Sequence, residues 1–267
     1  MTRLSALMLF TLLGGLSTPS HAQTADVERV TTGNRTTENV PAIDPALIEQ
    51  LSRYQNTRGA SVEGWTGNDC LLISTRFAET AQAHRVCQPL GMREQLTFYP
   101  EPVSGITMSP AKAWRKGFVF AKDKGGDEFS QLYWFDEATR TTTLLTDGKR
   151  SQNGGTTLTR DGGLMAYSST ARNGADRDIW LRNTRTGESR LLLKEGGSWM
   201  PMDFSPDGKE LLVMKYVSAA ESYPGAVNVE TGKLEMFPVD GGKASFGRFA
   251  FAPDGKGVFF ISDEPLD

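Results

Sequence analysis

Histidine and cysteine are scarce in this chain, two of each among 267 residues. A hydrolytic triad needs a histidine beside its nucleophile, and a zinc site needs several Cys or His at short spacing. His21 falls in an N-terminal leader, so only His84 is left to act as a base. No Gly-x-Ser-x-Gly occurs, which removes the strained strand-to-helix turn that carries a hydrolase serine. Zinc spacings, phosphate loops and dinucleotide fingerprints are missing too. The residues therefore assign no catalytic, cofactor-binding or metal-binding position, and no cofactor. Basic blocks are also lacking: net charge is −3 and the pI about 5.6, which excludes an electrostatic nucleic-acid surface. Long apolar runs are limited to residues 4–16, and 13 residues are too few to span a bilayer. Arg3 precedes that run and Ser20-His21-Ala22 comes after it, the layout of a secretory signal cleaved after Ala22. The expected product is exported, secreted or periplasmic, with no membrane span and a net charge of −4.

What the chain has in quantity is glycine, 28 residues, and much of it lies in a repeat. Phe204-Ser205-Pro206-Asp207-Gly208 is a tight turn, and the apolar run from Leu211 to Met214 reads as a buried strand. Ala252-Pro253-Asp254-Gly255 followed by Val258-Phe259-Phe260 repeats it 47 residues later, and Thr159-Arg160-Asp161-Gly162 followed by Leu164-Met165-Ala166-Tyr167 stands 46 residues earlier. A degenerate copy, Ser109-Pro110 with Gly117-Phe118-Val119-Phe120, lies 50 residues before that. A period of this size fits one four-stranded propeller blade. Thr186-Gly187-Glu188 and Thr231-Gly232-Lys233, 45 residues apart, mark the turn before each fourth strand, with Ala138-Thr139-Arg140 in the same place one unit earlier.

The expected fold is thus all-β, a propeller with about four and a half blades and one short N-terminal helix. Residues 1–22 are the signal and 23–40 a polar lead-in expected to be disordered. Residues 41–57 hold the helix: Asp44 caps it, Pro45 takes the first position, and Leu47, Ile48, Leu51 and Tyr54 form a stripe expected to pack on the side or rim of the propeller. The partial propeller covers 58–267, with blades near 58–102, 103–153, 154–198, 199–243 and an incomplete 244–267. Ending in mid-blade would leave an unpaired edge, so the chain is expected to be a fragment that is poorly soluble or self-associates. Cys70 and Cys87, 17 residues apart, could pair across neighbouring strands in an oxidising compartment, or remain two buried thiols.

Three runs are more specific than the repeat. They are Leu71-Leu72-Ile73-Ser74-Thr75-Arg76-Phe77 continuing to Val86, Pro89-Leu90-Gly91-Met92-Arg93-Glu94-Gln95-Leu96-Thr97-Phe98, and Lys122-Asp123-Lys124-Gly125-Gly126-Asp127-Glu128-Phe129-Ser130-Gln131-Leu132-Tyr133. Together they resemble the N-terminal propeller of bacterial exported prolyl oligopeptidase family serine peptidases, of the dipeptidyl aminopeptidase/acylaminoacyl peptidase kind. Asp127 stands where that family usually has Asn. Leu145-Thr146-Asp147-Gly148 and the run 168–176 read the same way. The resemblance implies a propeller that caps an α/β-hydrolase domain, with peptide as the substrate and the whole triad in that second domain. This chain carries no triad and is expected to be inactive alone. The other reading is a stand-alone periplasmic propeller of the TolB or WD40-like kind, acting as a binding scaffold.

Other residues have simpler roles. Asp161, Asp207 and Asp254 recur like metal ligands, but their place in Asp-Gly turns explains them. Arg76 and Glu79, near a strand end, either face the tunnel or the missing hydrolase domain, or lie in a solvated loop. The Gly125-Gly126-Asp127-Glu128 segment is acidic enough to bind a substrate amine. The tryptophans at 65, 114, 134, 180 and 199 read as blade packing.

Overall fold

The second strand of each repeat decides the architecture, because it is apolar on both faces and must be covered on both. The computed structural model describes residues 27–239 and 242–263. The signal expected at 1–22 lies outside the described residues. The chain divides into two units, Met1–Ile43 and Asp44–Asp267.

In the first unit, β1 (Arg29–Thr32) and β2 (Arg35–Glu38) form an antiparallel hairpin around Gly33-Asn34, with Gly33 at φ 60°. A hairpin thus stands within 27–40, where a disordered lead-in over 23–40 was expected; 23–26 lie outside the described residues. The β-branched Val30, Thr31, Thr32, Thr36 and Thr37 favour extended backbone, and Gly33 supplies the turn. Arg29 and Glu38 close the open end as an ion pair.

The second unit opens with α1 (Pro45–Gln55). The Asp44 carboxylate caps it, accepting from the Ala46 N–H at 2.8 Å. No residue of α1 is buried, and Leu47, Ile48, Leu51 and Tyr54 all lie exposed. The expected packing of that stripe is therefore corrected: 3–4 spacing fixes which side chains share a face, not what lies opposite.

Four four-stranded antiparallel meanders make up most of the second unit. The first is β3 (Ala60–Trp65), β4 (Leu71–Thr75), β5 (Gln82–Val86) and β6 (Glu94–Gln95). The second is β7 (Ser104–Met108), β8 (Gly117–Lys122), β9 (Gln131–Asp136) and β10 (Thr142–Leu144). The third is β11 (Asn153–Leu158), β12 (Leu164–Ser169), β13 (Asp178–Asn183) and β14 (Ser189–Leu193). The fourth is β15 (Ser198–Phe204), β16 (Glu210–Ser218), β17 (Glu221–Asn228) and β18 (Leu234–Met236). A fifth sheet has two described strands, β19 (Phe246–Phe251) and β20 (Val258–Ser262). The first strands β3, β7, β11, β15 and β19 run side by side in that order, so the sheets succeed one another as blades. The fold is an all-β propeller architecture with one short helix.

Packing is set by side-chain alternation. In β16, Leu211 and Val213 join Ile179, Leu181 and Trp199 between the third and fourth sheets. Their neighbours Leu212 and Met214 point the other way, into a core with Ala244, Phe246 and Phe249 of the fifth. Strand β8 does the same, sending Phe118 and Phe120 toward the first sheet and Val119 and Ala121 toward the third. An uninterrupted apolar run is thus the signature of a strand buried on both faces. Gly117 begins β8 at φ 153°, and a Cβ there would lie 2.0 Å from the Phe135 carbonyl oxygen, so only glycine lets β8 and β9 approach. All five first strands carry a register shift against their partner, between Val62 and Gly64, Ser104 and Thr107, Gly154 and Thr157, Pro201 and Asp203, and Gly247 and Ala250. Such bulges raise local twist, as each blade requires.

Strand β20 differs from its counterparts: Phe259, Phe260 and Ile261 are exposed, whereas Leu211, Leu212 and Val213 are fully buried. Truncating Leu212 to Ala is expected to cost about 2–5 kcal/mol in urea unfolding, and Phe259→Ala less than about 0.5 kcal/mol. Equal costs would contradict the two-sided burial described for β16.

Candidate functional site

The turns joining first to second strands share one face, and side chains lock each of them. Ser205 Oγ donates to Asp207 Oδ1 at 2.7 Å and accepts from the Glu210 N–H at 2.9 Å, while Asp207 Oδ1 also accepts from the Lys209 N–H at 3.1 Å. Thr159 and Asp161 repeat the arrangement, with 2.7 Å between hydroxyl and carboxylate, 3.0 Å from the Gly163 N–H to Asp161, and 3.0 Å from the Leu164 N–H to Thr159. Asp254 accepts from the Lys256 N–H at 3.0 Å. In the first sheet Thr66 alone does this work, its hydroxyl accepting from the Cys70 N–H at 3.2 Å. Hydrogen bonds from Ser205 and Thr159 hold Asp207 and Asp161 below the usual carboxylate range. These aspartates brace turns, and no metal-holding cluster occurs among the described residues.

Beside these turns lie three connected grooves spanning the second to fifth sheets. The largest, about 740 Å³, lies between the third and fourth and is flanked by Glu188, Arg190, Lys209 and Glu230. A groove of about 470 Å³ shares Leu164 and Gly208 with it and adds Lys112, Arg160, Asp161 and Asp207. A third of about 400 Å³ continues past Asp207 and Lys209 to Asp254. Arg190 is anchored by donating to the Val229 carbonyl. The result is an open trough of alternating cations and carboxylates with apolar floor positions. It offers charge pairing and hydrogen bonding to an extended polar chain. Of the hydroxyls along it, Ser205 and Thr159 are committed to their turns and Ser189 accepts from Arg182, and no histidine lines it.

His84 lies far from such a role. It is fully buried in β5, its Nδ1 2.9 Å from the Gln82 carbonyl and its ring edge-on to Phe77 at 4.9 Å. Burial lowers its pKa, with the Gln82 hydrogen bond opposing and Arg93 adding to the fall. Arg76 donates to the Gln55 carbonyl at the end of α1. In the acidic loop, Asp127 Oδ1 accepts from the Phe129 N–H at 3.0 Å, and Glu101 accepts from the Gly125 N–H at 3.0 Å, while the Glu128 carboxylate is exposed. Cys70 and Cys87, on neighbouring strand ends of the first sheet, have sulfurs 2.09 Å apart. Trp134 and Trp199 are packed in cores, but Trp65 and Trp114 are exposed, which corrects the expectation that all five tryptophans serve packing.

Sequence reasoning missed the residue that begins each third strand. Gln131 Nε2 donates to the Lys149 and Ser151 carbonyls at 2.8 and 3.0 Å, and its Oε1 accepts from Thr146 Oγ1 and the Gly148 N–H at 2.7 and 3.0 Å. Gln82 makes the corresponding bonds to the Tyr99 and Glu101 carbonyls at 3.0 and 2.9 Å. Asp178 and Ser222 hold related places, pairing with Arg172 and with the Phe246 backbone. Gln82, Gln131 and Ser222 tie the crossover between blades, whereas Asp178 braces the loop before its own strand. The Gln-Leu of the resemblance run was the available signal, and its role is structural.

No family model matches the chain, and no curated protein matches it. Solved structures do share the fold. TolB from Acinetobacter baumannii is 19% identical with a TM-score of 0.52, over 75% of this chain and 48% of that one. A putative TolB from Agrobacterium tumefaciens is 18% identical with a TM-score of 0.54, over 74% of this chain and 72% of that one. A prolyl endopeptidase is 15% identical with a TM-score of 0.61, over 82% of this chain and 35% of that one. The chain thus spans about half the length of the Acinetobacter protein and a third of the endopeptidase.

The buried neutral His84 has a measurable consequence. Its folded pKa lies below the unfolded value near 6.5, so the unfolded chain takes up the proton first and stability falls as pH drops from about 6.5 toward the folded pKa. His84→Gln is expected to flatten that part of the stability profile while leaving the carboxylate-driven loss below pH of about 4 in place. An unchanged slope between pH of about 6.5 and 5 would contradict the assignment.

Proposed function

We propose that this chain is the propeller portion of an exported peptidase of the prolyl oligopeptidase kind, limiting which peptides reach a catalytic domain. The observation that carries the reading is the pair of family-like runs in the first two blades, 71–98 and 122–133. The trough adds support: an open groove of mixed charge with apolar floor positions suits an extended peptide. Export rests on the leader read from Arg3, the apolar run and Ser20-His21-Ala22. No helix among the described residues is long and apolar enough to cross a membrane.

A stand-alone scaffold of the TolB kind is the second reading, favoured by the propeller fold shared with the two TolB structures. DNA downstream of codon 267 separates the two. An in-frame continuation with further blades and a Gly-x-Ser-x-Gly supports the peptidase reading, and a stop codon with no such motif supports the scaffold.

The purified chain is expected neither to hydrolyse dipeptide and acyl-amino-acid amides nor to react with a fluorophosphonate probe. Labelling with turnover would overturn the assignment of this chain as a non-catalytic part.

A further inference from the structure

Between the second and third sheets lies a partly open pocket of about 70 Å³ lined by Arg115, Thr143 and Arg182, with Val119, Trp134 and Met165 as apolar walls. Roughly 10–15 Å³ suffices for one water, so this space accepts a larger polyatomic guest. The pocket does not adjoin the trough.

Its charges are unbalanced. Arg115 makes neither a hydrogen bond nor an ion pair among the described residues; its guanidinium stacks on the Trp134 ring at 4.0 Å and lies 5.2 Å from the Trp114 ring. Arg182 donates to Ser189 Oγ at 3.2 Å and pairs with no carboxylate among the described residues. Burial lowers the pKa of both, and Arg182 lowers that of Arg115 further. Asp136 is the carboxylate that acts on Arg115, but its Oδ1 is held by the Ala138 and Thr139 N–H groups at 3.1 and 3.0 Å and by the Thr139 hydroxyl at 3.1 Å. The Thr139 N–H does most to lower the Asp136 pKa, and Trp134 adds to the fall from a distance, since its buried Nε1 completes no hydrogen bond. Arg185 lies over the Trp114 ring, 4.9 Å from its centroid. Stacking on indoles explains where one guanidinium rests. It does not explain two part-buried cations lining one cavity with no carboxylate in direct contact among the described residues, an arrangement that costs stability unless an anion completes it.

We propose that this interblade pocket binds one small oxyanion, phosphate or sulfate in size, between the Arg115 and Arg182 guanidiniums. Planar forks of N–H donors match the oxygens of such an ion, and the Thr143 hydroxyl supplies a further donor. A bound anion would join the second blade to the third and stabilise the folded chain by mass action.

Equilibrium dialysis of the chain with radiolabelled phosphate tests this, with sulfate, acetate and chloride as competitors at matched ionic strength. The expected result is saturable binding of one ion per chain, displaced by sulfate and not by chloride, and a melting temperature higher in phosphate than in chloride. Displacement by acetate would identify a carboxylate group as an equally good guest. Arg115→Met and Arg182→Met should each weaken binding at least tenfold, while Lys124→Met, in an exposed loop, leaves it unchanged. If the Met variants do not fold, Arg115→Lys decides: it keeps the charge, loses the fork, and should still bind several-fold more weakly. Absence of saturable binding to the unaltered chain, or full affinity in folded Arg115 and Arg182 variants, would overturn the proposal.

Discussion

Two-sided burial of the second strand in the second, third and fourth sheets is the constraint on which this structure depends. Leu211, Leu212 and Val213 have no exposed surface, and they reach it by pointing alternately into two different interblade cores. A sheet so built cannot stand alone, because half its apolar surface is covered only by its neighbour. The blades are thus bound in series, and each core belongs to two sheets. The ion network of Arg85, Glu94, Arg140 and Glu137 reinforces the first such junction from its edge.

Apolar burial is non-directional, so register must come from elsewhere. Three side-chain devices supply it. A hydroxyl and a carboxylate lock the inner turn, as with Ser205 and Asp207. An Asp or Asn ends the third strand and caps the next turn, as Asn183 does for the Arg185 and Thr186 N–H groups. A polar residue begins the third strand and holds the crossover, as Gln131 does. Each satisfies backbone groups that would otherwise be buried without partners.

The first of these devices was legible in the sequence, because Pro-Asp-Gly and its apolar follower are local and repeat. The helix cap at Asp44 was legible for the same reason. The crossover glutamines were not, since their partners lie 15 to 20 residues away and the four positions hold Gln, Gln, Asp and Ser. The first-strand bulges leave no composition signature at all. Arg140 occupies at φ 58° the place that Gly187 and Gly232 hold at 82° and 72°, so a glycine pattern alone misses it. At the candidate site, the recurring aspartates could be read as turn braces in advance. The trough could not, because Arg160, Lys209 and Asp254 meet only once blades are stacked. The Arg115 and Arg182 pocket is hidden in the same way.

Native-state hydrogen exchange, resolved by residue, tests the central claim of serial, shared cores. With the cores shared in series, amides at 118–121 and 211–214 exchange only through global unfolding, while those at 259–261 open at least about 100-fold more readily, as do the β1 and β2 hairpin amides. Protection at 259–261 equal to that at 211–214, or fast exchange throughout β8 and β16, would contradict it.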